Sequence, residues 1–533
     1  WWHKAAELAQ KGKIKRFGFI TTNSLTQVFN RRVVGLHLDT EKNSLHLVFA
    51  VPDHPWVDAS DGAAVRIAMT VGEKGKGEGM LALVTEEREI DGRERSVALE
   101  EHHGLIHADL TIGADILMAQ PLQANGEIAC RGVIPHGQGF IITQEEAEQL
   151  GLGRIPGLET HIRPYRNGKD IAQVSRGVMV IDLHGLQIEQ VRELYPEVYQ
   201  WVLSRVKPER EHNREEYRRT HWWLFARKNT ELRASLVGLG RYIVTGQVAK
   251  HRFFVFLEEE ILPDDKLIAI AMADAYHLGV LSSRTHVCWA LAAGGWLGVG
   301  NDPVYNKTAC FDAFPFPAAT SEQQARIRDL GEKLDAHRKT RQELYPDLTM
   351  TGMYNVLEAL RQGQELTPKE KTIHEHGLVT VLRELHDELD AAVADAYGWP
   401  ADLPDEDILA RLVALNAERV EEEKQGNIRW LRPEYQTKSK TDRKAVQTKI
   451  DIDIPVEPAT KGKKGKVAKA KTGPKVPWPT DLLEQTQAVR GMVSTLQDAG
   501  APITPDAVAG RFTRAPRARV QEILQALETL GFV

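Results

Sequence analysis

Apolar and polar positions change rhythm several times along the 533 residues. Trp2–Lys11 spaces its apolar side chains as a helix does, and KRFGFITT (Lys15–Thr22) is a basic step into a short apolar strand. Gln27–Leu36 reads as helical or irregular. Leu45–Val51 and Ala63–Val71 read as strands, joined by a loop that holds Asp53, His54, Pro55, Trp56 and Asp61-Gly62. The segment therefore predicts an α/β edge whose last two strands form an antiparallel pair. Gly72–Gly79 reads as a glycine/lysine linker or hairpin loop.

The next stretch, 81–320, is strand-rich with little helical periodicity. Gly132, Pro135, Gly137, Gly139, Pro164, Gly168 and Gly177 punctuate it, which predicts an irregular α+β module. Helical spacing returns in 321–430, most clearly in Gln323–Leu344 and Gly377–Tyr397, as expected of a helical pair or bundle. Residues 431–477 carry seven lysines between Lys461 and Lys475 and few apolar positions, so a solvated linker is expected. Thr480–Ala499, Thr504–Arg511 and Ala515–Leu530 then read as three helices with helix-turn-helix spacing around the Gly500–Ile503 break. Phe532-Val533 stand where the wing of a winged helix would begin.

Composition adds less than the distribution of charge. The formal net charge is −6, which does not announce a nucleic-acid partner. Acidic stretches at Glu86–Glu101 and Glu421–Glu423 offset basic clusters at Arg214–Arg219, Arg227–Arg252 and Lys461–Lys475. The three cysteines, Cys130, Cys288 and Cys310, form no CxxC pair. That argues against a disulfide framework or a structural zinc, and fits a reducing cytoplasm. No apolar run is long enough to span a bilayer. His102, His103 and His107 beside Glu100 and Glu101 lack any fixed metal-ligand spacing, so no metal is expected. The chain opens at Trp1 and its first methionine is Met69, so it is expected to be the C-terminal portion of a larger protein.

Several blocks carry a family resemblance: GFITTNSLTQ (Gly18–Gln27), IRPYRNGKDI (Ile162–Ile171), THWWLFARKN (Thr220–Asn229), the long run Gly279–Pro317 and IRWLRPEYQ (Ile428–Gln436). In this order they resemble the C-terminal portion of an MmeI-type class I S-adenosylmethionine-dependent DNA adenine-N6 methyltransferase, of restriction–modification or phage-defence type. The resemblance spans most of 1–436. It implies a multidomain α/β and α+β architecture. The C-terminal part of a Rossmann-like methyltransferase sheet is expected in 1–80, a DNA target-recognition domain in 81–320 and a helical spacer in 321–436. The Lys-rich linker at 437–477 and a winged-helix-like domain at 478–533 lie outside it.

The resemblance places the cofactor loop and the catalytic (Asn/Asp)-Pro-Pro-(Tyr/Phe) motif upstream of Trp1. S-adenosylmethionine is therefore expected to be bound by that upstream part, and these residues to be inactive alone. Pro-Pro occurs nowhere in the sequence, and Asp302-Pro303-Val304-Tyr305, which imitates the motif, reads as a turn. Within the chain, the resemblance implies that Trp56 stacks on a flipped adenine. It places Asn23 and Ser24, at a strand end, beside the active site, with a capping role as the alternative.

Double-stranded DNA is the expected partner, with other defence-system subunits also admitted and no membrane. Basic residues interleave with aromatics between Arg214 and Phe254. Lysine and arginine neutralise phosphates, and arginine forks read guanine. Arg227, Arg241, Lys250 and Arg252 are the candidates there, while Trp222, Trp223, Phe225, Phe253 and Phe254 sit in apolar runs and are expected in the core. Ser283 and Arg284 are candidates for phosphate contact, with capping by Ser282 or Ser283 as the alternative. Arg166 and Lys169 belong to a polar turn with a tight-turn signal at Asn167-Gly168. The competing reading is a non-catalytic DNA-specificity module serving a separate methylase or nuclease. A protein-binding role is the third, and it alone predicts little salt dependence.

Overall fold

The computed structural model describes residues 1–437 except 27, 39–42, 57–64, 91–93, 114, 228 and 298–301. Beyond 437 it describes 476–479, 485, 488–489, 491–493, 504–513, 515–517, 519–521 and 523–524. The chain divides into two compact units, Trp1–Asp453 and Ile454–Val533.

The first unit begins with α1 (Trp2–Gln10), which buries Trp2, Ala6 and Ala9 on one face. The Trp2 ring meets Phe17 edge-on at 5.2 Å. A five-stranded sheet follows from β1 (Arg16–Thr22), β2 (Leu45–Pro55), β3 (Arg66–Lys74), β4 (Gly79–Ile90) and β5 (Glu94–Gly104), with α2 (Val28–Leu38) between β1 and β2. The strand order is β1-β3-β2-β4-β5. Because β3 is antiparallel to both β1 and β2, those two run parallel, and their C-terminal ends share one edge with the start of β3. β4 then pairs parallel with β2 and antiparallel with β5, so the sheet continues past residue 80, where the sequence suggested a boundary, to Gly104. Residues 75–78 are thus a connection between strands that are not paired with each other. Two register shifts, at Leu47/Phe49 and Val51/His54, carry β2 on to Pro55. Asp53, His54 and Pro55 are therefore strand residues rather than loop residues, because bulges absorb the extra positions.

The middle of the unit holds two four-stranded sheets. Their strands are β6 (Ala129–Arg131), β7 (Ile141–Ile142), β8 (Ile162–Arg166), β9 (Met179–Ile181), β10 (Arg241–Gly246), β11 (Val255–Glu258), β12 (Leu262–Pro263) and β13 (Leu267–Ile270). The orders are β11-β10-β13-β6 and β12-β8-β9-β7. A short helix, α3 (Gly168–Ala172), lies between β8 and β9, and Asn167 closes a capping box at its start. Helices α4 (Ala275–Ser282) and α5 (Arg284–Ala293) lead to a two-stranded ladder, β14 (Gly295–Leu297) with β15 (Asp302–Val304). Arg31 of α2 donates to the Ala293 carbonyl at 3.3 Å and so ties the first sheet to the end of α5.

Towards its end the unit carries the helices α6 (Ser321–Leu344), α7 (Met350–Arg361), α8 (Pro368–Gly377), α9 (Val379–Tyr397) and α10 (Asp405–Lys424). A Thr320 capping box starts α6, and the helix crosses α4 at Gly331. A Cβ there would lie 2.4 Å from the Ala275 carbonyl oxygen, so only glycine permits the approach. One apolar core runs from Ile116 to Leu412, joining the central sheets to the helices. The IRWLRPEYQ block folds back as a strap. Gln436 donates to the carbonyls of Ala124 and Gly126 at 2.8 and 2.9 Å, and Arg432 donates to those of Ser235 and Val237.

In the second unit, α11 (Pro505–Ala509) precedes β17 (Phe512–Thr513), which pairs parallel with β16 (Val476–Pro477). Val489, Val493, Val508, Phe512 and Val520 share a small core. Much of the expected flanking helices, and all of the Lys461–Lys475 stretch, lie outside the described residues.

Candidate nucleic-acid interface

The ends of β10, β13 and β6 meet at one edge, and strand register gathers basic side chains there. Gly246 pairs with Leu267, and Ile268 with Arg131. Gln247 N donates to the Lys266 carbonyl at 2.7 Å. β12 brings in β8, with Pro263 opposite Arg166, and Asp264 N donates to the Arg166 carbonyl at 2.8 Å. Gly132 packs so closely that a Cβ would sit 2.1 Å from the Pro263 carbonyl oxygen. Ala226 N donates to the Ile134 carbonyl at 3.2 Å, and Asn229 Nδ2 to the Gly132 carbonyl at 2.9 Å, which places Arg227 at the same edge.

Arg131, Lys169, Arg227, Lys250 and Lys266 are exposed along this rim, with Arg166 half-buried among them. Burial pulls the Arg166 pKa below the ordinary arginine value, and its Nη1 donates to the Tyr165 carbonyl at 3.0 Å. Lys250 Nζ rests on Asn355 Oδ1 at 2.8 Å, and Lys266 lies 3.4 Å from Asp265. A rim of cations on short connections between buried strands can neutralise phosphates while the scaffold stays rigid.

Four of the eight residues expected to meet DNA are on this rim: Arg166, Lys169, Arg227 and Lys250. The structure also adds Arg131 and Lys266, which no local sequence signal marks because strand pairing alone brings them there. The other four are elsewhere. Arg241 begins β10 at its opposite end, ion-paired with Glu332. Arg252 is 7% exposed; its guanidinium donates to Thr245 Oγ1 and to the carbonyls of Gly246 and Pro303, so its assignment to DNA is replaced by a structural one. Ser283 is fully buried, with its hydroxyl donating to the Val280 carbonyl at 2.7 Å, so it reaches no phosphate here. Nor does it cap α5; Asp390 Oδ1 accepts from Arg284 N at 2.6 Å instead. The Arg284 side chain pairs with Asp405 at 2.6 Å. Trp223, Phe225, Phe253 and Phe254 are core residues, as expected, and Trp222 is half-buried.

A second polar group lies at the shared edge of β1, β2 and β3. Asn23 Nδ2 donates to Asp53 Oδ1 at 3.0 Å, and Arg66 Nε to Asp53 Oδ2 at 2.6 Å. Arg66 also pairs with Glu87 of β4 at 2.7 Å, and its carboxylate partners hold the guanidinium pKa above the ordinary value despite burial. Trp56 N donates to the Val65 carbonyl at 2.9 Å, and the indole is 46% exposed. The Ser24 hydroxyl meets that of Thr22 at 2.5 Å, and Asn30 donates to the Ser24 carbonyl at 2.8 Å.

Asp302–Tyr305, expected as a turn, is instead strand β15 and the residue after it. Pro303 and Val304 pair with β14, and Tyr305 N bonds to the Gln247 carbonyl at 2.7 Å. The Tyr305 ring is 1% exposed, with its hydroxyl 3.0 Å from His286 Nε2. A ring held this way cannot stack on a base. Among the described residues no three His, Cys, Asp or Glu side chains are grouped to hold a metal.

A family model described as "MmeI, target recognition domain" matches residues 119–318. No curated protein matches the chain. Among solved structures, the Type IIL restriction-modification enzyme MmeI in complex with DNA superposes with a TM-score of 0.60 at 20% identity, over 79% of this chain and 52% of that one. The chain thus shares that fold and spans about half of that protein's length. The type IIG restriction endonuclease BpuSI gives a TM-score of 0.26 at 9% identity, over 72% of this chain and 48% of the other.

Proposed function

We propose that this chain is the DNA-recognition part of a restriction–modification enzyme, and that its first sheet is the closing edge of an adenine-N6 methyltransferase domain. One observation carries this reading: the basic rim falls wholly within the segment that matches the recognition-domain family. Arg131, Arg166, Lys169, Arg227, Lys250 and Lys266 all lie inside 119–318. In this reading the rim binds duplex phosphates, and side chains beside it read base edges.

Support for the methyltransferase half is the insertion of β3, antiparallel, between two parallel strands, with Asn23 and Trp56 at the strand ends where open α/β sheets take ligands. Trp56 would stack on the extruded adenine, worth about 1–3 kcal/mol. Asn23, Asp53 and Arg66 would hold the strand ends that carry it. The residues present do not fit the methyl donor. The glycine-rich turn Gly75-Lys76-Gly77-Glu78-Gly79 follows the far end of β3, away from this edge, and leads into strand β4 and not into a helix N-terminus. The methyl donor, S-adenosylmethionine in this reading, is bound by other sequence.

Duplex binding between 50 and 200 mM salt tests the reading. Four or five phosphate contacts predict a fall in affinity on the order of 10²–10³ over that range. Arg227→Glu with Lys250→Glu should flatten the salt slope by about two contacts. Binding that ignores salt, or no binding, overturns it in favour of a protein-binding role.

A further inference from the structure

Two exposed apolar side chains stand at the basic rim, Val248 beside Lys250 at 37% and the more exposed Val174, which sits on a loop built to hold it still. Residues 167–178 connect β8 to β9, and Gln173–Gly177, after helix α3, are all exposed. Val174 is 54% exposed among them.

The base of this loop is fixed on three sides. The β8–β9 ladder is extended by Tyr165 N donating to the Val178 carbonyl at 3.0 Å. The Tyr165 hydroxyl donates to Asp264, at the β12–β13 turn. On the other flank, Thr351 of α7 donates to the Ala172 carbonyl at 3.1 Å and receives Gln173 Nε2 at 3.0 Å.

The loop is also closed across itself. The Asp170 carboxylate, with no exposed side-chain surface, accepts from Arg176 N at 2.9 Å, from Nε at 3.0 Å and from Nη2 at 2.7 Å. A buried carboxylate taking three donors from one residue makes a rigid ring of 170–176. Gly177 then turns with φ +64°, which favours glycine.

Cations flank this tip. Lys169 precedes it on the same connection, and Arg166 ends the strand before it. Lys250 reaches Asn355, one helical turn along α7 from Thr351, so it stands beside the loop from the opposite side. Phosphates drawn to both sides would bring a base-pair edge over the tip. An aliphatic group carried on a fixed backbone meets only one apolar feature in the major groove, the thymine C5-methyl.

We propose that Val174 reads a thymine methyl in the DNA site, and that the Asp170–Arg176 ring is its positioning device. The proposal rests on the DNA-recognition reading of the rim and adds a specificity-determining residue to it.

The test begins with selection of bound duplexes from a random library by the full chain, which yields a motif. Each thymine of that motif is then replaced singly by deoxyuridine, which differs only in lacking the methyl group. At one thymine the parent chain should lose about three- to fivefold in affinity, the worth of one buried methyl. Val174→Ala should lose a similar factor with thymine present and become indifferent to uracil at that position alone. Arg176→Ala should blunt the same discrimination with the salt slope unchanged, where a merely structural role would weaken all sequences alike. If Val174→Ala stays as sensitive as the parent at every thymine, the proposal fails while the DNA reading stands. If the parent selects no motif at all, the DNA-recognition reading fails with it.

Discussion

Arg241 and Glu332 face each other across the contact between β10 and α6 with both terminal guanidinium nitrogens on the carboxylate. The same arginine donates Nε to the Ala273 carbonyl at 3.0 Å and lies 3.9 Å over the Phe256 ring. All three guanidinium nitrogens have partners within the protein, and Glu332 holds the Arg241 pKa above the ordinary value. Arg241→Ala should therefore lower the unfolding free energy by ~1–2 kcal/mol, mostly from lost packing and the carbonyl bond, since the pair is partly exposed. Duplex affinity should change by less than about twofold. Urea unfolding and a parallel binding titration check both. A tenfold loss of binding at unchanged stability would return Arg241 to the DNA surface.

Arg252 gives a sharper contrast. Its removal takes a buried donor from the Gly246 carbonyl and from Thr245 Oγ1, and leaves the Pro303 carbonyl with the Ala249 amide at 3.3 Å. At ~1–3 kcal/mol for a buried group that loses its donor, Arg252→Met should cost about 2–3 kcal/mol. Lys250→Ala, two residues away and exposed, should cost less than ~0.5 kcal/mol but weaken DNA binding. Thermal unfolding ranks the two variants one way and a binding titration the other. The same ranking in both assays would contradict the placement of these side chains.

Local signals were legible where the partners are near in sequence. The helix expected from Gln323 to Leu344 is α6, which begins two residues earlier because Thr320 and Gln323 form a capping box. The helix expected from Gly377 begins instead at Val379, because Gly377 ends α8 and Leu378 takes a left-handed backbone at φ +44°. The core roles of Phe253 and Phe254 followed from their apolar run. The candidate site was only half legible. Arg252 and Lys250 look alike in sequence, and what separates them is Pro303, 51 residues from Arg252. Glu332, which claims Arg241, is 91 residues away. Arg131 joins the rim only through the β6–β13 register. Long-range pairing sets these facts, and no periodicity encodes it.

Acid should destabilise the first unit through its buried histidines. Burial pushes His277 down to about 4 and His286 and His386 down to about 3. In the unfolded chain each titrates near 6.5. Below that pH the unfolded state takes up protons that the folded state refuses, so their stabilisation is present above pH 6.5 and is lost as pH falls towards 4. The slope is ~1.4 kcal/mol per pH unit for each histidine. Asp390 opposes them: burial raises its carboxyl to about 6, so the folded state gains a proton there first. Burial also raises Asp264 and Asp312, which act with Asp390, and lowers His37 and His337, which act with the three. Carboxylates held low by arginine, such as Asp170, Asp182 and Asp274, add to the loss in acid. Urea midpoints at pH 7.5, 6.5, 5.5 and 4.5 should fall steadily. His386→Gln, which can still meet the Tyr354 hydroxyl now 2.9 Å from Nε2, should flatten that fall by one proton's worth. An unchanged slope in the variant would show that His386 titrates normally.

The edge that carries Trp56 should behave as one mechanical unit. Asp53 lies three residues before the indole and accepts from both Asn23 and Arg66, while Val65, next to Arg66, holds the Trp56 amide. Arg66 also reaches Glu87, so the two feet of the connection from Trp56 to Val65 are clamped to the sheet. Labelling the chain with 5-fluorotryptophan and assigning Trp56 by Trp56→Phe gives one fluorine resonance to follow. Arg66→Ala should shift or broaden it while the resonance of buried Trp289 stays put. Arg66→Lys, which keeps the charge but loses the fork, should fall between the two. Adding a duplex that carries an unpaired 2-aminopurine tests the stacking role separately. Quenching of the purine by the parent chain and its loss in Trp56→Ala would support base stacking, worth about 1–3 kcal/mol. A fluorine signal that responds to Arg66→Ala, with no purine quenching, would leave the clamp intact as structure and remove the stacking role from Trp56.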